Sequence, residues 1–235
     1  MKKFVLMMLA LALLLPALAF AEYEIGSVVT FGAYPQTAAG DDETPVEWIV
    51  LDRDGDRALL ISRYLLDAQP YNEAWMIDIP WEDCMLRGWL NGEFADAAFT
   101  ADERKAVIRT DIDNGGSQNN SGWYEMPAND TRDAAFLLSY AEAGRYFADP
   151  EDRMCAPTAY AAAQGARTSE DAAEAEYTEF SGCQTGGRPA GWWWLRSPGA
   201  NQRCAANVNY AGSRDFEGIS CVGGVRPALW VELGN

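Results

Sequence analysis

Arginine and tryptophan are concentrated in two stretches, WWWLR at residues 192–196 and VRPALW at residues 225–230. A guanidinium group can stack on an aromatic ring and still donate hydrogen bonds to carbonyl groups or to a carboxylate. Arg196 and Arg226 could therefore be charged groups of an active site or internal cross-links. We favour cross-links, because a stacked and paired cation is a common way to close a core rich in loops. The residues with this structural role are Trp192, Trp193, Trp194, Arg196, Arg226 and Trp230.

General acid and base catalysis has few candidates in this sequence. The chain has 35 Asp and Glu residues but no histidine, which removes the usual general base and the imidazole of serine and cysteine triads. A pair of carboxylates could still hydrolyse a glycosidic bond. Among so many acids, some pair always looks suitable for this reaction, so a position on the solvated surface is the better interpretation of each one. We therefore predict a protein that is not an enzyme. The candidate acids are Glu47, Glu82, Asp83 and Glu103.

The cysteines lack the spacing of a zinc or redox motif. None of the five lies in a CxxC sequence, and without histidine no neighbour would activate a thiolate. In an oxidising compartment Cys84 could pair with Cys155, and Cys204 could pair with Cys221, although spacing alone does not decide the pairing. The cysteines are Cys84, Cys155, Cys183, Cys204 and Cys221.

Metal binding is not indicated by the acidic spacing either. Asp52, Asp54 and Asp56 alternate as in a calcium loop, but Gly55 precedes the third acid instead of following it, and no glutamate follows at the required distance. A solvated turn is the better interpretation. We expect no cofactor and no metal site, and a structural calcium ion stays open.

Strands are predicted at both ends of the chain. Residues 26–35 alternate apolar and small side chains before a turn, and residues 46–52 and 57–62 fit a hairpin closed by the Asp-Gly pair at 54–55. The tail after residue 191 contains further strands, with Leu229 and Trp230 on opposite faces.

Helices are predicted in the middle. Apolar residues at helical spacing indicate a helix over about residues 84–94, and Thr100, followed by Glu103, fits a second helix start. A third helix is capped at Ser139, and a fourth ends at Gly165. The fold class expected from this order is α+β.

The first residues have the features of a secretory signal. Lys2 and Lys3 precede an apolar run that ends in small residues, with cleavage expected after Ala21. The remaining residues, 22–235, suit a single domain with long polar loops near 110–133 and 167–190. The formal net charge of −17 disfavours nucleic acid and anionic membranes. We expect a secreted or extracellular protein without membrane insertion, and the oligomeric state stays open.

Residue types suited to recognition gather after Gly199. Rigid aromatic side chains and adaptable hydrogen-bonding groups together favour contacts with partners. Ordinary polar strand ends and turns explain the same composition equally well. The residues are Asn201, Gln202, Arg203, Asn207, Asn209, Tyr210, Arg214, Asp215, Phe216 and Glu217.

Eight collinear segments resemble a domain of unknown function found in exported proteins of Gram-positive anaerobes. They include FGAYPQ, PVEWIVLD, WEDCMLRGWLN, FLLSYAEAGRYF, WWWLRSPG and GVRPALW, and the resemblance runs from about Gly26 to Leu233. It implies a family but no activity.

The terminal part also resembles the C-type lectin-like fold in its formylglycine-generating-enzyme variant, which serves as the variable protein of diversity-generating retroelements. The resemblance rests on the tryptophan strand ending in LRS and on the closing VRP strand. It implies a constant framework around a diversified ligand-binding face between residues 201 and 223, whereas the cysteine pair of the enzymes of this fold has no counterpart. The implied ligand-binding residues are Arg203, Asn207, Asn209, Tyr210, Arg214, Asp215, Phe216, Glu217, Ile219 and Ser220.

The function expected from these observations is non-catalytic binding of an extracellular protein or glycan. A secreted carboxylate-dependent hydrolase of glycan or cell-wall material is the first alternative. A structural surface component, in which the same strands only pack, is the second.

Overall fold

Strands from both ends of the chain lie side by side in the first sheet. The computed structural model describes residues 23–74, 78–116, 124 and 126–233. The strands of this sheet are β1 (Val28–Tyr34), β2 (Thr44–Asp54), β3 (Arg57–Ser62), β5 (Val107–Ile108) and β14 (Ala228–Glu232). Their order is β1-β2-β3-β14-β5, and every neighbouring pair is antiparallel. The alternating sequences at the two ends therefore form strands, as predicted.

The second sheet has the tryptophan-rich stretch at its centre. Its strands are β4 (Asp67–Pro70), β10 (Trp193–Pro198), β11 (Cys204–Val208), β12 (Arg214–Gly218) and β13 (Val222–Val225). They follow the order β12-β11-β10-β13-β4, in which β10 and β13 are parallel and the other pairs are antiparallel. β10 has a neighbour on each side and is almost fully buried, whereas β12 lies at the edge of the sheet.

Short helices lie between the strands. They are α1 (Met85–Trp89), α2 (Ala95–Ala98), α3 (Glu103–Ala106), α4 (Tyr140–Tyr146), α5 (Pro150–Arg153), α6 (Ala159–Ala163) and α7 (Ser169–Glu174). A π-helical turn over Leu90–Phe94 joins α1 to α2, and short 3-10 turns cover Trp81–Asp83 and Thr178–Phe180. The described chain is therefore a mixed α+β protein with more strand than helix.

Gly55 closes the hairpin between β2 and β3. Asp54 pairs with Arg57 across the strands, so the loop contains only Gly55 and Asp56. Gly55 has a φ of 62°, a left-handed conformation that costs other residues about 1–2 kcal/mol. The predicted hairpin is confirmed.

Local hydrogen bonds lie at or near the predicted helix starts. The Ser139 side chain accepts from the backbone N–H of Glu142 at 3.0 Å, and the Glu142 carboxylate accepts from the backbone N–H of Ser139 at 2.8 Å. Thr100 and Glu103 exchange the same two bonds at the start of α3, and Gly165, with a φ of 111°, follows α6. The Ser139 cap is confirmed, because a capping box depends on residues close in sequence. The helix predicted from Thr100 begins three residues later, at Glu103, and the helix predicted to end at Gly165 ends two residues earlier, at Ala163.

The two polar stretches predicted as loops contain short elements of their own. The first is closed by an antiparallel pair, β6 (Thr110–Ile112) and β7 (Thr131–Asp133). The second contains α7 and the two-stranded ladder of β8 (Gln184–Thr185) and β9 (Arg188–Pro189). Polar composition indicates surface segments, but it did not reveal these elements, since short pairings depend on neighbours that composition does not show.

A continuous apolar core connects the two sheets. Trp48 from β2 and Trp193 and Trp194 from β10 are all 0 % exposed within it. Close packing of such large side chains fixes the relative position of the sheets, because interiors leave few voids. The second sheet is thus held rigidly against the rest of the described chain.

The predicted signal sequence, residues 1–21, lies outside the described residues. Within the part that the structure describes, no helix is long and apolar enough to span a membrane.

Candidate functional site

Arg196 is buried, and neighbouring groups engage its guanidinium group. It donates to the carbonyl oxygen of Leu137 at 2.8 Å and to the side-chain oxygen of Asn114 at 3.2 Å. The Glu142 carboxylate forms a two-point ion pair with it, and the ring of Phe136 lies 5.9 Å from its central carbon. The contacts have the geometry of an internal cross-link, with a phenylalanine instead of a tryptophan as the aromatic partner.

Arg226 is buried between two aromatic rings. Its central carbon lies 5.0 Å from the Trp193 ring and 5.1 Å from the Phe147 ring. It donates to the carbonyl oxygens of Ser62 at 3.1 Å and Arg153 at 3.4 Å. Burial lowers the pKa of Arg226, and it forms no ion pair among the described residues. Rings and carbonyl dipoles therefore surround this cation.

The other tryptophans of the structural set differ in exposure. Trp194 donates from its indole nitrogen to the carbonyl oxygen of Gln69 at 2.9 Å, and its ring meets Trp192 edge-on at 4.8 Å. Trp193 points to the opposite side of β10, since side chains alternate along a strand. Trp230 is partly exposed on the first sheet. Trp192 and Trp194 thus mark one face of the second sheet.

The residues predicted to bind a ligand are divided between the two faces of β12. Asn207 of β11 pairs with Trp194 of β10 and with Asp215 of β12. Directly paired residues share a face, so Asp215 and Glu217 lie on the face of Trp194. Arg214 lies on the other face, because it is adjacent to Asp215 and side chains alternate between the two faces of a strand.

The second face of β12 packs against α4. Arg214 donates to the carbonyl oxygen of Tyr140 at 2.7 Å, and its central carbon lies 4.2 Å from the Tyr140 ring. Phe216 shares this face and is 39 % exposed. The contacts of Arg214 attach the edge strand to the helix.

The remaining predicted residues differ in exposure. Asn207 and Ile219 are buried, and the side-chain oxygen of Asn207 has no hydrogen-bond partner among the described groups. The side-chain oxygen of Asn209 accepts from two backbone N–H groups of its own turn, at 3.0 and 3.1 Å. Arg203 and Ser220 are exposed. A ligand could therefore reach Asn207 and Ile219 only if the surrounding structure rearranged.

An open cleft lies beside the Trp194 face of the second sheet. One wall comes from the second sheet and the turns beside its strands, between Trp192 and Val222. The other wall comes from residues 165–180. Its volume is about 420 Å³, which falls in the range of small-ligand sites. We call it the aromatic cleft, and it is lined by Arg167, Tyr177, Phe180, Trp192, Tyr210 and Glu217.

Only part of this lining was predicted. Tyr210 and Glu217 belong to the predicted binding residues, whereas Arg167, Tyr177 and Phe180 lie in the polar stretch that we predicted as a loop. The sequence signal for this wall was the pair Tyr177 and Phe180, two aromatic residues three positions apart in an acidic, glycine-rich segment. A solvated loop has no need of exposed rings, and Tyr177 is 57 % exposed.

A family model described as "Domain of unknown function (DUF6273)" matches residues 55–233. The chain belongs to this family. The match includes the whole second sheet, β14 and both walls of the aromatic cleft. A comparison with curated proteins and one with solved structures found no match. The family assignment carries no activity, so the function of the DUF6273 domain has to be argued from the cleft.

Several charges lie near the hydroxyl group of Tyr210 in the DUF6273 domain. The pKa of Tyr210 is raised to about 12, mainly by burial, while Arg167 lowers it and Asp171 and Glu217 raise it. The hydroxyl group is therefore neutral near pH 7. The Tyr210 ring packs 5.1 Å from Phe180. The cleft thus offers a neutral donor and acceptor between carboxylates and a guanidinium group.

The cysteines of the DUF6273 domain are free thiols in the structure. Neither the pair Cys84 and Cys155 nor the pair Cys204 and Cys221 is bonded there. Burial raises the pKa of Cys84 to about 12 and also raises the pKa of Cys155. Cys221 is exposed at the edge of the aromatic cleft.

The acids considered for hydrolysis have other contacts. Glu47 pairs with Arg63 at 3.0 Å, Glu82 accepts from the side chain of Asn129, and Glu103 accepts from the backbone N–H of Thr100 at 2.8 Å. None of them lies among the described residues that line the aromatic cleft. Among the described residues, no group of three or more cysteines and acids could hold a metal ion.

Proposed function

We propose that this DUF6273 protein is an exported, non-catalytic binding protein whose aromatic cleft recognises a protein or a glycan outside the cell. The observation that carries the proposal is the placement of Tyr177, Phe180 and Tyr210 around a cavity of about 420 Å³. Ligand sites combine aromatic walls with a few polar groups that orient the ligand. Arg167 and Glu217 supply such groups here.

The sequence of residues 1–21 supports export. A basic start, a short apolar run and small residues before Glu22 are the features of a cleaved signal. The net charge of −17 makes nucleic acid an unfavourable partner. A neutral or cationic partner outside the cell agrees with both observations.

A C-type lectin-like fold, with a diversified face, is part of the same proposal. Trp194, Arg196 and Arg226 are buried and extensively bonded, as a constant framework would be. Glu217 and Ser220 lie between Arg196 and Arg226 in sequence and are exposed. A reverse transcriptase gene beside an adenine-rich near-copy of the segment 192–227 would support diversification, and its absence from the genome would remove that part of the proposal.

Binding to arrays of peptides and glycans tests the cleft. The chain without residues 1–21 is compared with the variants Tyr177→Ala and Tyr210→Ala. Each substitution removes one ring from the cleft wall, so we expect affinity for the captured ligand to fall by roughly fivefold to tenfold per ring. Calorimetry with the ligand identified on the array measures the change.

Phe216→Ala is the matched control. Phe216 is among the residues predicted from the sequence to bind a ligand, but in β12 this exposed ring lies on the face opposite the cleft. We expect its removal to leave binding unchanged. Loss of binding in Phe216→Ala with full binding in Tyr177→Ala would place the site on the other face and contradict the proposal.

A further inference from the structure

Negative charge dominates the surroundings of the aromatic cleft. Glu217 lies in the strand wall, and a second open space of about 460 Å³ adjoins the cleft beside α7. Gly165 and Arg167 line both spaces, and Asp171 and Glu174 line the second. Among the described residues that line the two spaces, three are acidic and Arg167 alone is basic.

The aromatic rings of the cleft add to this preference. The face of an aromatic ring carries partial negative charge and attracts a cation that lies within about 6 Å of its centre. Tyr177 is largely exposed, while Phe180 and Tyr210 are partly buried and in contact with each other. A cation entering the cleft would meet rings and the Glu217 carboxylate together.

We infer that the aromatic cleft binds the cationic side chain of a basic peptide segment, with a lysine ammonium group placed among Tyr177, Tyr210 and Glu217. This inference rests on the proposed function, because it names the ligand of the same cleft. The net charge of −17 favours such a partner from a distance. The cleft volume suits one long side chain and its neighbours in the peptide.

Arg167 opposes the ligand and makes the inference testable in two directions. Arg167 lies close enough to Tyr210 to lower the pKa of its hydroxyl group. Its guanidinium group donates to the carbonyl oxygen of Asp171. A cationic ligand is repelled by Arg167 and attracted by Glu217. Removal of the two charges should therefore change affinity with opposite signs.

The test is titration of the chain without residues 1–21 with a short lysine-rich peptide that has blocked ends. Glu217→Gln keeps the acceptor for the backbone N–H of Gly218 and should weaken binding about threefold to fivefold. Arg167→Gln should strengthen binding by a similar factor. Tyr177→Ala should weaken it about fivefold, and higher salt should weaken binding to the unaltered chain.

Glu43→Gln is the charge-matched control, because Glu43 is an exposed acid in the segment that leads into β2. It should leave affinity unchanged, and the same peptide with acetylated lysines should not bind. Weakening by Glu43→Gln equal to that by Glu217→Gln would show attraction by net charge alone and would overturn the inference.

Other outcomes separate the inference from the proposed function. Binding of a neutral glycan that weakens in Tyr177→Ala, together with no binding of the lysine-rich peptide, would overturn the lysine ligand and leave the binding function intact. Failure of the lysine-rich peptide to bind at millimolar concentration would overturn the inference alone. Loss of array binding in Phe216→Ala but not in Tyr177→Ala would overturn both.

Discussion

The carboxylate of Glu142 has two partners from different parts of the fold. It accepts from the backbone N–H of Ser139 and so caps α4, and it forms the ion pair with Arg196 of β10. The side chain of Arg196 is 2 % exposed and that of Glu142 is 22 % exposed. One carboxylate therefore couples the start of a helix to the central strand of the second sheet.

Removal of this charge should destabilise the protein. Glu142→Gln keeps an acceptor for the helix cap but leaves a buried guanidinium group without a counter-charge, so we expect a loss of about 2 kcal/mol in the free energy of unfolding. Urea denaturation followed by tryptophan fluorescence measures it. Glu24→Gln, an exposed acid, should change stability by less than about 0.5 kcal/mol. Equal stability of the two variants would show that the ion pair contributes nothing.

Residue types alone could indicate that a buried arginine needs carbonyl and carboxylate partners. They could not identify Glu142, because it lies 54 positions before Arg196 among 35 acids. The walls of the aromatic cleft are also separated in sequence, since Phe180 and Tyr210 lie 30 positions apart. Tyr210 could be proposed from its neighbours, but its contact with Phe180 depends on how the chain folds back.

At the scale of elements, the turn between β11 and β12 fixes the edge strand. Gly212 has a φ of 76°, and its carbonyl oxygen accepts from the side chain of Arg153 at 2.7 Å. A Cβ atom at Gly212 would overlap the carbonyl oxygen of Pro150. Backbone conformation and close approach therefore both require glycine here.

Two glycine substitutions separate these requirements. Gly55→Ala has the same left-handed strain but open space around the new methyl group, so we expect a loss of about 1 kcal/mol. Gly212→Ala adds a steric clash with α5 and should cost roughly 2 kcal/mol more. Thermal unfolding of both variants measures the difference. A loss in Gly212→Ala no larger than that in Gly55→Ala would show that α5 moves away freely.

Elements with local signals were predictable, and elements with distant partners were less so. The Ser139 cap, the Asp54-Gly55 turn and the glycine that follows α6 each depend on a few adjacent residues. β6 and β7 pair across a long segment, and nothing in the composition of residues 110–133 shows this register. The divided faces of β12 follow from its pairing with β11, which also was not visible in the sequence.

At the scale of the whole molecule, the reactivity of the cysteine thiols measures how often the core opens to solvent. Cys84 and Cys155 are each buried, and burial raises the pKa of both. A raised pKa leaves less thiolate at a given pH, and the thiolate is the reactive form. Cys221 is exposed, although burial and Glu217 raise its pKa as well.

Alkylation under reducing conditions should therefore separate the cysteines into classes. In the folded protein at neutral pH we expect Cys221 to react first, and Cys84 and Cys155 to react at least about a hundredfold more slowly, since they need large-scale opening. Mass spectrometry of peptides after timed labelling measures each rate. In denaturant the rates should become similar. Fast labelling of Cys155 in the folded state would show that the core opens locally.

The pairing of β14 with β3 also sets an order of events during synthesis. β3 leaves the ribosome early, but its partner strand begins only at Ala228. Contacts between such distant segments form slowly, so the first sheet stays incomplete until nearly all of the described chain is available. For a chain exported as we propose, any segment that leaves the secretion channel before β14 would lack the strand that pairs with β3.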